Sequence, residues 1–479
     1  MAKQITLATG ENKMRTMPVG RLLLTMAAPL ALSMLVQAFY NIVDTFFVSL
    51  VDADATGALS LAFPIQNLQI GCATGVAVGM NSLLSKSLGQ GDQRRANQSA
   101  GNGIVLTLIA VALFMIFGFF GVEGYYGMFS EASEKARDYG EIYTKICSIF
   151  TLGIFIEVLG ERLLQASGRT IYTLFTQGTG AILNIILDPL FILGSEGLAT
   201  KFGIHLPFYV PAFEVAGAAI ATVIGQWVAA LLAVIFNFTK NPDVQFRLKY
   251  LRPDSKVMKK ILAVGIPSVV MMAIGSVMNF CMNQVFLGFN QSAANVFGIY
   301  FKLQSLFLMP LFGINNASIS IIAYNYGARL PRRITGTLKL GFGTALVIML
   351  LGFSVFQIFP KTLMGMFNAD PEMVRMGVSA MRVVSIHFPL AAVGISLSAS
   401  FQSLGVGIYA TITSVCRQLL ALVPVAWLLS LTGNVNAVWW AFPVAEVVSA
   451  TVALILYRRI YNNKIKPLFL QQTEEGAKL

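Results

Sequence analysis

The sequence predicts an all-α integral membrane protein, with twelve transmembrane helices in two six-helix lobes of like orientation. Three observations carry that prediction. The 479 residues are 56% hydrophobic and only 12% charged, about half the charged share of an ordinary soluble domain. That is too little charge to cover a surface in water, and the mean hydropathy of +0.70 agrees. The apolar residues are gathered into runs longer than the ~20 residues that a helix needs to cross a bilayer. Motifs of the first half also return in the second at a nearly constant spacing.

The spans follow from long apolar runs broken by charged or Gly/Pro-rich turns. The first 20 residues, MAKQITLATGENKMRTMPVG, are polar and lack the apolar core of a signal peptide. Spans 1 to 6 are expected over 21–50, 56–84, 96–122, 139–165, 170–194 and 213–239. Spans 7 to 12 are expected over 258–288, 292–324, 336–360, 373–403, 407–431 and 435–457. Helix is required, because the runs are too long for barrel strands and lack strict alternation. Several exceed the minimum length, which predicts tilt or kinks. The four cysteines (Cys72, Cys147, Cys281, Cys416) fall inside apolar stretches without a CxxC pair, and read as small buried hydrophobes.

Charge gives the orientation. The termini, the loops on their side and the adjoining ends of the spans carry 25 of the 34 Lys and Arg residues. Cytoplasmic loops concentrate basic residues, so both termini and the stretch KNPDVQFRLKYLRPDSKVMKK are expected in the cytoplasm. The opposite loops carry acids instead: Asp52, Asp54, Glu131, Glu134, Glu196, Asp370 and Glu372. The net charge of +12 is thereby explained without a nucleic-acid partner. Compact loops and short tails point to a bacterial inner membrane; the protein is expected to be a monomer.

The repeat is specific. Pro29 and Asn41 correspond to Pro267 and Asn279, an offset of 238 in the numbering; Gly89, Arg94 and Arg95 correspond to Gly327, Arg332 and Arg333 at the same offset. QASG (Gln165 to Gly168) returns as QSLG (Gln402 to Gly405), one position short of it. Six spans return the chain to its starting side, so the halves share orientation. The expected organisation is a tail (1–20), a first lobe (21–239), an interlobe linker (240–257), a second lobe (258–460) and a second tail (461–479). Two such lobes, with a cavity between them, suit a secondary transporter. No GxxxxGK[ST] motif is present to bind ATP. A membrane-embedded enzyme would have little to build from with two histidines, His205 and His387.

Charges at membrane depth cost ~2.5–3.5 kcal/mol each even on a lenient scale, so they mark candidate sites. Asp44 lies toward the outer end of span 1. In span 5, Asn184 and Asp188 are four residues apart on one helical face, with Ala181 a turn further in and Pro189 adjacent. At ~1.5 Å per residue, Asp44, Asp188 and Thr222 of span 6 fall at a similar depth, ~10 Å from the outer ends. Two carboxylates, an amide and a hydroxyl make an oxygen-rich site for a proton or a hard cation such as Na⁺. Such a carboxylate pair is expected to hold a shared proton until hydration or a cation releases it. The second lobe has Met282 in place of Asp44, and the apolar ALVPVAW where Asp188 stands. Glu157 and Glu161 lie near Arg162 and are expected to form an interfacial ion pair. His387 and Glu446 are candidates to contact a cationic substrate or carry protons. Lys302 and Arg417 are expected to snorkel or to meet interlobe acids. The many Phe and Met residues suit a cavity that repacks around apolar cations.

Several stretches together resemble the multidrug and toxic compound extrusion (MATE) transporters. They are PLALSMLVQAFYNIVDTFFV, SLGQGDQRRA, LQASGRT, GAILNIILDPLFI, AGAAIATVIGQ and YNYGA, and the resemblance covers roughly residues 18–460. It implies export of cationic or amphipathic compounds in exchange for inward H⁺ or Na⁺, with no cofactor. It also places the family's first-lobe cation site on Asp44, Ala181, Asn184, Asp188 and Thr222, with Tyr143 joining the network. Pro29 falls where span 1 bends in the family. A substrate cavity is expected at Gln37, Tyr40, Asn41, Met282, His387 and Glu446. Spans 7 and 10 lack the central acids that one branch carries there, so the first-lobe site is expected to act alone. A lipid-linked oligosaccharide flippase of related architecture is the alternative; it needs a cationic cavity, for which only Lys302, Arg382 and Arg417 are available.

Overall fold

The computed structural model describes residues 12–129, 133–367 and 370–476. Glu131, expected among the outer-loop acids, lies outside them. The described chain has twelve spans: eleven continuous apolar helical stretches and one bent pair. Spans 1 to 3 run Val19–Ser49, Ala53–Gly89 and Gln93–Phe120. Span 4 is Glu134–Ile149 followed by Leu152–Ala166, turned by 49° at the break. Spans 5 and 6 are Ile171–Phe202 and Glu214–Lys240. Spans 7 to 9 are Ser255–Leu287, Gln291–Gly327 and Pro331–Ile358. Span 10 is Pro371–Ser403 and span 11 is Gly407–Ser430. Span 12 contains Ala441–Ile460, led in by the single turn Val435–Val438.

The ends obey local rules. Asp52, Asp92, Asp254, Asn290 and Asp370 each cap a span by accepting from backbone N–H groups of its first turn, which satisfies donors that have no intrahelical partner. Besides the bent span 4, three spans depart from a plain rod. Span 5 breaks at Gly194, whose φ of 65° no ordinary helical residue adopts; the chain there is held by Phe213 N–H donating to Phe191 O at 2.8 Å. Span 10 tightens to a 3₁₀ turn at Ser385–His387. Span 11 widens to a π-helix over Cys416–Leu422.

The duplication read from the sequence governs how the halves meet. A Cβ at Gly75 would stand 2.5 Å from the Val269 side chain, and one at Gly313 would stand 2.5 Å from the backbone N of Ala31. Gly313 and Val269 are the repeat counterparts of Gly75 and Ala31. So span 2 crosses span 7 as span 8 crosses span 1, each through a glycine that lets two backbones touch. At the inner ends, on the side of the two termini, Gly89 lies against Tyr324 O and Gly327 against Lys86 O, again counterparts at the same offset. The turns repeat too: Gly91 and Arg329 both have positive φ (72° and 56°), as do Gly168 and Gly405.

Polar contacts close the inner side. Asn81 Nδ2 donates to Ser320 Oγ at 3.1 Å, and Ser82 Oγ to Gln402 O at 2.9 Å. Arg333 donates to Met14 O at 2.9 Å and to Met17 O at 2.7 Å, so it ties the leading segment to the second half. Spans 6 and 7 are joined by residues 241–254, pinned on span 3 by Gln245 N–H to Asn97 Oδ1 (2.9 Å) and Asp254 N–H to Asn102 Oδ1 (2.8 Å).

Candidate functional site

Span 5 builds the first-lobe site. Residues 173, 176/177, 180/181, 184 and 188 recur at helical spacing and share one face; Thr173, Thr176, Ala181, Asn184 and Asp188 are all buried. Pro189 has no N–H for the carbonyl of Ile185, so that backbone oxygen lacks its regular helical partner next to the acid. Asn184 is the hinge of the local network. Its Nδ2 donates to Asp188 Oδ1 at 3.2 Å and to Thr222 Oγ1 of span 6 at 3.4 Å. Asp44 of span 1 lies within electrostatic range of Asp188. Tyr40, one turn from Asp44, lies within range of both and of Glu157. Tyr143 of span 4 is buried, is held by Gln66 Nε2 at 2.8 Å, and lies within range of Asp44 and Tyr40.

Three oxygens of this cluster have no hydrogen-bond partner: Asp44 Oδ1, Asn184 Oδ1 and Asp188 Oδ2. All three are acceptors, so what they lack is a donor or a cation. Buried polar atoms are rarely left unmet, and three in one cluster mark a site that fits a proton or a small hard cation. Its donors are carboxylate, amide and hydroxyl oxygens. Among the described residues no three His, Cys, Asp or Glu converge as a transition-metal site would require.

The second lobe holds a different cluster. His387 and Glu446, expected on a substrate cavity, lie in the lobe's interior, 5% and 3% exposed. His387 Nε2 meets Tyr300 OH at 3.0 Å and Gln304 Nε2 at 3.2 Å. Glu446 Oε2 stands 3.7 Å from both His387 Nδ1 and Arg417 Nη1. Trp439 closes the cluster, stacked on Phe286 with centroids 4.2 Å apart. Arg417 therefore meets an acid of its own lobe rather than an interlobe one, whereas Lys302 and Arg382 are exposed. This carboxylate carries its counter-charge within the protein; among the described residues, Asp44 and Asp188 do not.

Two expectations are corrected. Met282, expected on the cavity, is fully buried in the second lobe's apolar core with Phe286 and Ala421; a thioether has no polar group to hold it at a wet wall. Glu161 does not pair with Arg162. Its carboxylate accepts from Thr176 Oγ1 (2.7 Å) and Gln177 Nε2 (2.9 Å) of span 5, while Arg162 Nη1 donates to Gln165 at 3.0 Å. Neighbours on a helix point about 100° apart, so adjacency in sequence did not bring the charges together. Of the other cavity candidates, Gln37 and Tyr40 are half-buried and Asn41 is exposed. Span 1 is one helix through Pro29, and Thr170 Oγ1 reaches Thr25 O, the carbonyl that Pro29 leaves free, at 3.5 Å.

Gln66 and Gln304 escaped notice in the sequence. They are counterparts at the repeat offset, and each reaches the polar residue of the broken span in its own lobe, Tyr143 or His387. A repeated polar residue at that offset was the available signal.

Comparison with known proteins agrees with this architecture. The MatE family profile matches residues 29–190 and 267–428, two segments related by the same offset as the repeat. The multidrug export protein MepA of Staphylococcus haemolyticus is 24% identical over 439 residues, 91% of this chain and 92% of that one. An FAD transporter of Shewanella oneidensis is 25% identical over 446 residues, covering 92% and 95%. Among solved structures, a MATE crystal structure in complex with MaL6 superposes with a TM-score of 0.87 at 24% identity, over 96% of this chain and 99% of that one. An outward-facing multidrug resistance MATE family transporter of the MOP superfamily gives 0.86 at 24% identity over the same shares.

Proposed function

Because this chain belongs to the MatE family of transporters, we propose that it is a secondary antiporter. It exports cationic or amphipathic compounds in exchange for H⁺ or Na⁺, with Asp44, Asn184, Asp188 and Thr222 as the coupling site. One observation carries the reading. One oxygen each of Asp44, Asn184 and Asp188 is unmet, with no cationic side chain paired to them among the described residues, against a second-lobe acid matched by Arg417. A built-in counter-charge makes an acid a fixture of the fold, whereas its absence leaves a place for an exchangeable one.

The cycle follows from electrostatics. With the site open to the outside, an ion neutralises the Asp44–Asp188 pair and removes its attraction for a cationic substrate. Asn184 gives up no bond, because its amide N–H groups already hold Asp188 and Thr222 and only its free oxygen turns to the ion. Span 1 adjusts about Pro29, the substrate leaves, and the lobes rock so that the ion departs on the other side. Coupling requires only that ion and substrate favour different states of the same carboxylates. The protein acts as a monomer in a bacterial plasma membrane. Its basic face and both termini lie in the cytoplasm.

The test is ethidium transport in proteoliposomes under an imposed pH gradient and then an imposed sodium gradient. FAD is included in the substrate panel because one relative carries that description. The gradient that drives ethidium identifies the ion. Asp44→Asn and Asp188→Asn are each expected to lower driven transport at least tenfold at equal protein content, and unchanged transport in either overturns the reading.

A further inference from the structure

The coupling site accounts for the outer half of the first lobe only. On the inner half the same lobe holds two more acids, Glu157 and Glu161, on the segment Leu152–Ala166 that follows the break in span 4. Four residues apart, they share a helical face. Glu161 is 3% exposed and hydrogen-bonds to neutral donors, Thr176 and Gln177. Arg162 stays within electrostatic range of Glu161 but turns its guanidinium to Gln165, and Arg169 pairs instead with Asp243 at 3.5 Å. Among the described residues this acid pair, like the outer one, has no cation in direct contact.

Its donors come from the face of span 5 that carries Asn184 and Asp188. Gln177 and Asn184 are seven positions apart, ~10 Å of helix, and on that face only Gly180 and Ala181 intervene. Tyr40 lies within electrostatic range of Asp44 and Asp188 above and of Glu157 below. Two further polar atoms on this stretch have no partner: Thr173 Oγ1, on a fully buried side chain one turn inward of Gln177, and Gln177 Oε1. Polar groups thus stand on this face on both sides of the Gly180–Ala181 interval, and unmet atoms recur at both ends.

We propose that Glu157 and Glu161 form a second, inner ion station, through which the coupling ion passes between the Asp44–Asp188 site and the side of the chain termini. This rests on the coupling-site reading above and adds the route by which the ion leaves. When the ion moves inward, the outer carboxylates regain their negative charge as Glu157 or Glu161 is neutralised, so the lobe's net charge is unchanged by the transfer. Thr176 and Gln177 hold the receiving carboxylate in place, and Tyr40 bridges the gap between the stations. Charge moves between two acid pairs of one lobe, which spares the apolar stretch at Gly180 and Ala181 from holding an ion.

The test separates ion passage from folding and from substrate handling. Glu157→Gln and Glu161→Gln proteins in proteoliposomes are assayed for ethidium counterflow, which needs no net ion movement, and for net ethidium uptake driven by the productive gradient. Both variants are expected to keep counterflow within twofold of the unmodified protein while net driven uptake falls at least tenfold. Driven uptake at the unmodified rate in either variant overturns the inner station. So does a parallel loss of both activities, the mark of a merely structural residue. Asp188→Asn is run beside them: if it keeps driven uptake, the coupling-site reading itself has failed; if it loses driven uptake while the glutamine variants do not, only the inner station has.

Discussion

Removing Arg417 is expected to damage the second lobe more than removing its partner Glu446. The two groups stand 3.7 Å apart, with side-chain exposures of 33% and 4%. At that separation an effective dielectric of about 20 gives an attraction of ~4.5 kcal/mol, and bulk water only ~1 kcal/mol. The real coupling lies between, since Arg417 is only partly enclosed by protein. The two deletions are not symmetric. Arg417→Met strands a carboxylate whose Oε1 already lacks a partner and whose remaining neighbour is His387, and an uncompensated buried charge of that kind costs about 3–5 kcal/mol. Glu446→Gln leaves a partly exposed arginine facing a neutral amide, so a loss of about 1 kcal/mol is expected, as for a typical point substitution. The double variant is expected to recover most of the Arg417→Met loss. Chemical unfolding of the purified proteins in detergent measures the three, with Trp439 of this cluster contributing to the fluorescence signal. If Glu446→Gln is at least as damaging as Arg417→Met, the picture of an internally matched second-lobe acid is wrong.

Three other outcomes are expected. Gly313→Ala places a methyl 2.5 Å from the backbone of Ala31, whereas Gly343→Ala meets nothing within 4 Å; the first is expected to cost about 1–3 kcal/mol by overpacking and the second nothing measurable, both read by thermal unfolding. Arg329 holds the positive φ that Gly91 holds in the first half, a conformation costing an L-residue roughly 1–2 kcal/mol. Arg329→Gly is therefore expected to leave Tm unchanged or raise it, and Gly91→Ala to lower it. Asp52 caps span 2 and pairs with Lys135 at 2.5 Å, which holds its carboxyl below the usual range. A lowered carboxylate stabilises the fold above its unfolded-state pKa, and that contribution fades as pH falls through the folded value. Asp52→Asn keeps a capping oxygen but loses the charge, so the stability gap to the unmodified protein is expected at pH 7 and should close below about pH 4.

Much of the candidate site was legible before any coordinates. Asn184 and Asp188 share a face because they are four apart on a helix, and depth counting placed Asp44 and Thr222 beside them. What resisted was anything that turned on which neighbour a side chain chooses. Glu161 sits next to Arg162 in sequence yet takes Thr176 and Gln177 as partners. Met282 occupies the repeat position of Asp44 but is fully buried in the second lobe's core. The break of span 4 at Phe150 and Thr151 was not legible, because the two segments are apolar enough to cross a membrane only when taken together.

The sequence alone determined the partition between lipid and water, the number of crossings, the duplication and the residues too polar to be lodged in a membrane by accident. Each is a property of residues counted along one chain, and transfer free energy is nearly additive in that count. Only the tertiary structure decided which acids carry an internal counter-charge and which do not, because pairing depends on the angles at which helices distant in sequence present their faces. Arg417 finds Glu446 across a helix interface, and among the described residues no such cation pairs with Asp44 or Asp188. That difference in packing, invisible in composition, is what distinguishes the two lobes.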